Sequence, residues 1–152
     1  MSNENNNSQI NLTRSEMREQ TFMLLFSEQF DDEPLETTLE DHDEMFEGGV
    51  CGYAQAVVSG LQSKREDIDS EISKYLKKGW TLSRISKASL AILRLAIYEM
   101  KYVDSVPYSV SINEAVELAK KYTIDESRFV NGILGAFARD NSEGEKWVFT
   151  LV

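Results

Sequence analysis

Two arginines stand four residues apart near the start of the chain, Arg14 and Arg18. Thr13-Arg14-Ser15-Glu16 is a capping box, with Thr13 as N-cap and Glu16 three residues later, so a helix opens here. Residues at this spacing share one helix face. Unsatisfied N–H groups and the positive dipole end lie in the same first turns, and guanidinium forks match phosphate oxygens. The pair reads as a candidate anion-binding face. The plainer alternative is a solvated face with local ion pairs, because Ser15, Glu16 and Glu19 are interspersed.

Other reactive chemistry is sparse. Cys51 is the only cysteine and His42 the only histidine, which excludes an internal disulfide and argues against a structural zinc site. Cys51 lies in GGVCGYAQAVV, an apolar helical stretch, and reads as a small buried hydrophobe. His42 lies among acids and reads as solvated. Arg94 and Glu99 interrupt an otherwise apolar run. They are expected to satisfy each other or nearby backbone groups, since burying either alone is costly. No nucleophile with a base, no metal cluster and no glycine-rich phosphate loop is recognisable. No catalytic residue, metal or cofactor is expected.

The bulk numbers set the frame. At 152 residues, the chain is long enough for one domain or for two small helical subdomains. Apolar content of 41% and charged content of 28% fit a globular protein. No run of 18 apolar residues occurs, so no membrane-spanning helix is expected. The start, MSNENNNSQIN, lacks the basic opening and apolar centre of a secretion signal. Residues 1–12 read as a disordered N-terminal tail, and a cytoplasmic location is expected. The net charge of −10 argues against nucleic acid only at first sight. Nine acids and no Lys or Arg lie between Asp31 and Glu47; outside them stand 17 acids against 16 bases. The acidity is a property of one segment.

The apolar periodicity predicts an all-α chain of about seven helices. The first runs to about Phe30. Pro34 opens a short acidic one carrying Leu35 and Leu39. A longer one is predicted from about Glu44 to Lys64, and another from Asp67 to Lys78 ending at Gly79. The stretch Leu90 to Met100 is apolar on nearly all sides and belongs at the centre of the bundle. Asp104 to Pro107 is a turn. Ser111-Ile112-Asn113-Glu114 is a second capping box, and the last helix runs from about Glu126 to Arg139. Residues 140–152 form a C-terminal tail.

Three blocks, ILRLAIYEM, VPYSVSINEAVELAKKY and SRFVNGILGAFAR, together with the opening TRSEMREQTFMLLFS, resemble the transcription antitermination factor NusB family. The resemblance covers residues 13–139. It implies a fold of two packed helical subdomains forming an RNA-binding domain. It also implies binding to boxA, a short single-stranded RNA element in ribosomal RNA operon leaders, together with the small-subunit ribosomal protein that doubles as NusE. The pair joins elongating RNA polymerase and helps it pass terminators. The family has no catalytic activity. A methyltransferase family carries a similar domain as an N-terminal appendage, but no catalytic domain follows residue 152 here, so no enzyme is expected.

The family's Arg-rich start falls on Arg14 and Arg18, with fewer arginines in this chain. Its last helix begins near the RNA surface, which places Arg128 against a phosphate and Phe129 under a base. The alternative for Phe129 is core packing with Val130 and Leu134. Lys120 and Lys121 either widen this positive zone or simply solvate their helix. Asn131 and Gly132 read as packing residues. Ser89 and Leu90 stand where the family often carries an acidic-then-basic pair, so the partner-binding residues stay unassigned. The competing reading is a helical scaffold or homodimer that covers the arginine face and has no RNA role.

Overall fold

The computed structural model describes residues 11–30 and 42–141. The helix predicted at Pro34, both tails beyond these bounds and most of the acidic segment lie outside the described residues. The chain divides into two compact units, Met1–Gln62 and Ser63–Val152.

In the first unit, α1 spans Arg14–Ser27 and tightens into a 3-10 turn, Glu28–Phe30. The capping box forms as the sequence indicates. Thr13 Oγ1 accepts from the Glu16 N–H at 3.1 Å, and Glu16 Oε1 accepts from the Thr13 N–H at 2.8 Å. Such a cap contributes about 1 kcal/mol. Phe22, Leu24 and Leu25 are buried, and Phe26 packs between the rings of Phe22 and Phe30.

The helix predicted from Glu44 starts later, at Gly52. Gly48 and Gly49 both adopt positive φ, +80° and +81°, which no helix accommodates. Asp43 fixes this turn by accepting the Val50 N–H at 2.9 Å, and a Cβ on Gly49 would lie 2.8 Å from the same oxygen. Cys51 sits just outside the helix and is only half-buried; its N–H donates to Gln20 Oε1 at 3.0 Å. From there α2 continues unbroken over Gly52–Lys74. The two helices predicted at 44–64 and 67–78 are thus one element, because Gln62 to Glu66 contains neither proline nor glycine to stop it. The expectation of about seven helices is corrected: two of them are one, the one at Pro34 lies outside the described residues, and the described residues contain five α-helices and two 3-10 turns, with no strand.

In the second unit, α3 (Lys87–Tyr102), α4 (Tyr108–Tyr122) and α5 (Ser127–Asn141) pack on one another. α3 is buried almost throughout, as its composition demands; Ile92, Leu93 and Ile97 are wholly inaccessible. Each such side chain contributes about 1.5–3 kcal/mol by leaving water. Arg94 and Glu99 do not pair. They are five apart and diverge around the helix. Arg94 instead grips Asp69 with two bonds, 2.9 and 3.0 Å, and Glu99 accepts from Ser111 Oγ at 3.0 Å. That contact also explains why the second capping box does not form. α4 begins four residues earlier, with Pro107 rather than Ser111 as N-cap and the Pro107 carbonyl accepting from Val110 and Ser111. Ser111 is therefore an interior helix residue whose hydroxyl serves a buried carboxyl group. No helix among the described residues is long and apolar enough to cross a membrane.

Candidate nucleic-acid interface

The start of α1 offers one cation to solvent. Arg14 is exposed and makes no ion pair among the described residues. Glu16 is held in the capping box. Arg18 is 4% exposed and is engaged by neighbours. Helical spacing places the two on one face, but that face turns inward by the second turn.

The second unit holds a groove of about 320 Å³. One wall is the chain leaving α2: Tyr75, Leu76, Lys77 and Trp80. The other is the start of α5: Arg128, Phe129, Gly132 and Ile133. Trp80 is 47% exposed, so a face of the indole is open to solvent beside the groove. Phe129 is half-buried and borders the groove, while Val130 and Leu134 beneath it are fully buried. Arg128 is exposed, with no ion pair among the described residues. Asn131 and Gly132 are exposed rather than packed, and a Cβ on Gly132 would meet nothing within 4 Å.

Local chemistry fixes both walls. Lys77, Lys78, Gly79 and Trp80 make a tight turn closed by the Trp80 N–H on the Lys77 carbonyl at 2.9 Å. Gly79 has φ +89°, so a side chain there would strain the turn that presents Trp80. Tyr75 donates its hydroxyl to Asp140 at 2.8 Å and packs edge-on against Phe137. Burial and the Asp140 carboxylate push its phenol up to about 12. Opposite, Glu126 accepts from the hydroxyls of Ser86 and Ser89, while its N–H donates to Thr123 Oγ1. Asp125, with φ +58°, turns the chain into this clamp. The start of α5 is thereby tied to the start of α3, and Arg128 and Phe129 are held in place. Ser89 is wholly buried and Leu90 nearly so, which makes the pair internal packing. Lys120 pairs with Glu117 at 3.2 Å, and Lys121 lies over the Tyr122 ring, so both are engaged on their own helix.

Sequence reasoning reached one wall and missed the other. The family resemblance pointed to Arg128 and Phe129; Tyr75, Lys77 and Trp80 lie about fifty residues earlier, and only folding brings them opposite. The available signal was the KKGW turn, an indole beside a glycine and two lysines. Together the residues can stack a planar ring on an aromatic surface and hold its phosphates with two cations. Among the described residues, no cluster of His, Cys, Asp or Glu could hold a metal ion.

Known proteins resemble this chain in sequence and in fold. The sequence profile described as the NusB family matches residues 15–139. The chain is 38% identical to the transcription antitermination protein NusB of Limosilactobacillus reuteri (strain DSM 20016), covering 88% of this chain and 99% of the relative. It is 52% identical to the protein of the same name from Acetivibrio thermocellus over 105 residues, 68% of this chain and 70% of the relative. A solved structure of T. maritima NusB superposes with a TM-score of 0.80 at 38% identity, covering 90% of this chain and 98% of that one. A chain in a crystal structure described as a plectonemic RNA supercoil superposes with a TM-score of 0.75 at 26% identity, covering 87% and 98%.

Proposed function

Because the chain belongs to the NusB family of transcription antitermination proteins, a family of RNA-binding factors and not of enzymes, we propose that it binds a single-stranded boxA-type RNA. It does so together with a small-subunit ribosomal protein acting as NusE, within the antitermination complex on elongating RNA polymerase in the cytoplasm. The observation that carries this reading is the groove in which Trp80 and Phe129 stand with Lys77 and Arg128. Single-stranded RNA is recognised by stacking its splayed bases on aromatic rings while cations follow the backbone. A similar chain occurs in the structure described as a plectonemic RNA supercoil, which supports RNA as the ligand.

The contacts are assigned to Arg14, Arg128 and Phe129, with Trp80 and Lys77 added from the groove. Arg18, being buried, serves α1 from within, and its removal acts on binding through the fold. Filter-binding titrations with boxA RNA and a scrambled control, each with and without the ribosomal protein, test the proposal. Preferential binding of boxA, tightened by the partner, is the expected result. Equal affinity for the two RNAs in both conditions would reject it.

A further inference from the structure

From Ile72 to Tyr98 the chain contains six cations and no acid. This is the reverse of the acidic segment between Asp31 and Glu47, and it stands out in a chain of net charge −10. Two of the six are committed: Lys74 pairs with Glu71, and Arg94 with Asp69. Lys87 is engaged at the start of α3. Lys77, Lys78 and Arg84 remain. All three are exposed, and none makes an ion pair among the described residues. They sit on the connection between α2 and α3, which also presents Trp80 to the groove.

We infer that this connection is a phosphate track: an RNA strand seated in the groove continues along Lys77, Lys78 and Arg84, which supply more of its charge neutralisation than the start of α1. The inference rests on the RNA-binding reading above and adds to it where the backbone runs. Three features carry it. Residues 75–86 contain no Asp or Glu, and two carboxylates that reach this stretch, Asp140 and Glu126, accept from the hydroxyls of Tyr75 and of Ser86 and Ser89 rather than from its cations. Its backbone is shaped by the Gly79 turn and by the 3-10 turn Leu82–Arg84, so the charges are presented by a defined chain. The turn that carries Lys77 and Lys78 ends on an exposed indole, and cations next to a stacking surface are the arrangement that tracks a single strand. At the start of α1, by contrast, Arg14 is the one exposed cation of that helix.

Each phosphate neutralised on a single strand contributes about 0.7 to the slope of log affinity against log salt. The Lys77→Ala/Lys78→Ala/Arg84→Ala variant should therefore lose about 2 from that slope and bind boxA-type RNA on the order of tenfold more weakly at low salt. Arg14→Ala should lose only about 0.7. The charge-preserving variant Lys77→Arg/Lys78→Arg/Arg84→Lys should keep the wild-type slope. Thermal melting of each variant excludes a folding defect, because all three side chains are exposed. If the wild type binds RNA and the alanine variant keeps its slope, the track is overturned and the RNA reading stands. If the wild type binds no RNA, both fall. If the alanine variant keeps RNA affinity but loses binding to the ribosomal protein, the cations face that protein and the track is overturned.

Discussion

The start of α1 and the groove of the second unit were both candidate RNA contacts, and folding treats them differently. At α1, two arginines at helical spacing become one exposed and one buried, because a helix that packs carries part of each stripe inward. In the groove, residues from two distant segments converge, and a glycine turn lifts an indole into solvent. A short local pattern fixes which residues share a face. Only tertiary packing fixes whether that face meets water. The groove, with two aromatic rings and two cations that make no ion pair among the described residues, is the stronger claimant.

Removing its aromatic surface should produce the largest effect. Base–aromatic stacking is worth about 1–3 kcal/mol per base. Trp80→Ala with Phe129→Ala should weaken RNA binding at least about tenfold in fluorescence anisotropy. Binding at the wild-type level would return the weight to α1. A second contrast separates the two arginines of α1. Arg18→Ala should lower stability by about 2 kcal/mol in chemical denaturation, as expected for loss of a buried charged group. Arg14→Ala should leave it unchanged. Equal melting of the two variants would mean that burial of Arg18 carries no energy. A third, smaller effect belongs to Arg128→Ala, which should reduce the salt slope by about 0.7 and weaken all RNA sequences alike. A change in base preference would show that Arg128 reads a base.

The smallest effect concerns the wall that holds the groove. The Tyr75 phenol is raised from 10.0 to about 12, first by burial and then by Asp140. The folded state thus holds this proton more firmly than the unfolded chain. Its contribution is complete below pH 10 and is lost as pH rises through about 12. Tyr75→Phe should flatten the fall in melting temperature across that window. An unchanged pH profile would detach Tyr75 from the stability of the wall.

Much of the fold was legible in the sequence. The Thr13 capping box, the buried α3 and the two helices after it follow from local chemistry and apolar periodicity. Three readings failed for identifiable reasons. Glycine propensity alone did not reveal that Gly48 and Gly49 adopt positive φ, so a helix was extended back over them. The stretches predicted at 44–64 and 67–78 share one continuous helix, Gly52–Lys74, and read as two elements in the sequence. Ser111 matched a capping pattern, but Pro107 had already opened the helix and Glu99 took the hydroxyl. For the candidate site, Arg128 and Phe129 were reached through the family resemblance. Trp80 and Lys77 were not, because nothing local connects a turn after α2 to the first turn of α5.

Photo-crosslinking of a boxA RNA carrying 5-iodouridine, followed by peptide mapping, tests the central claim most directly. Cross-links should fall on the peptides containing Trp80 and Phe129, and excess unlabelled boxA should compete them away. Specific cross-links confined to the first unit, with none on those two peptides, would contradict it.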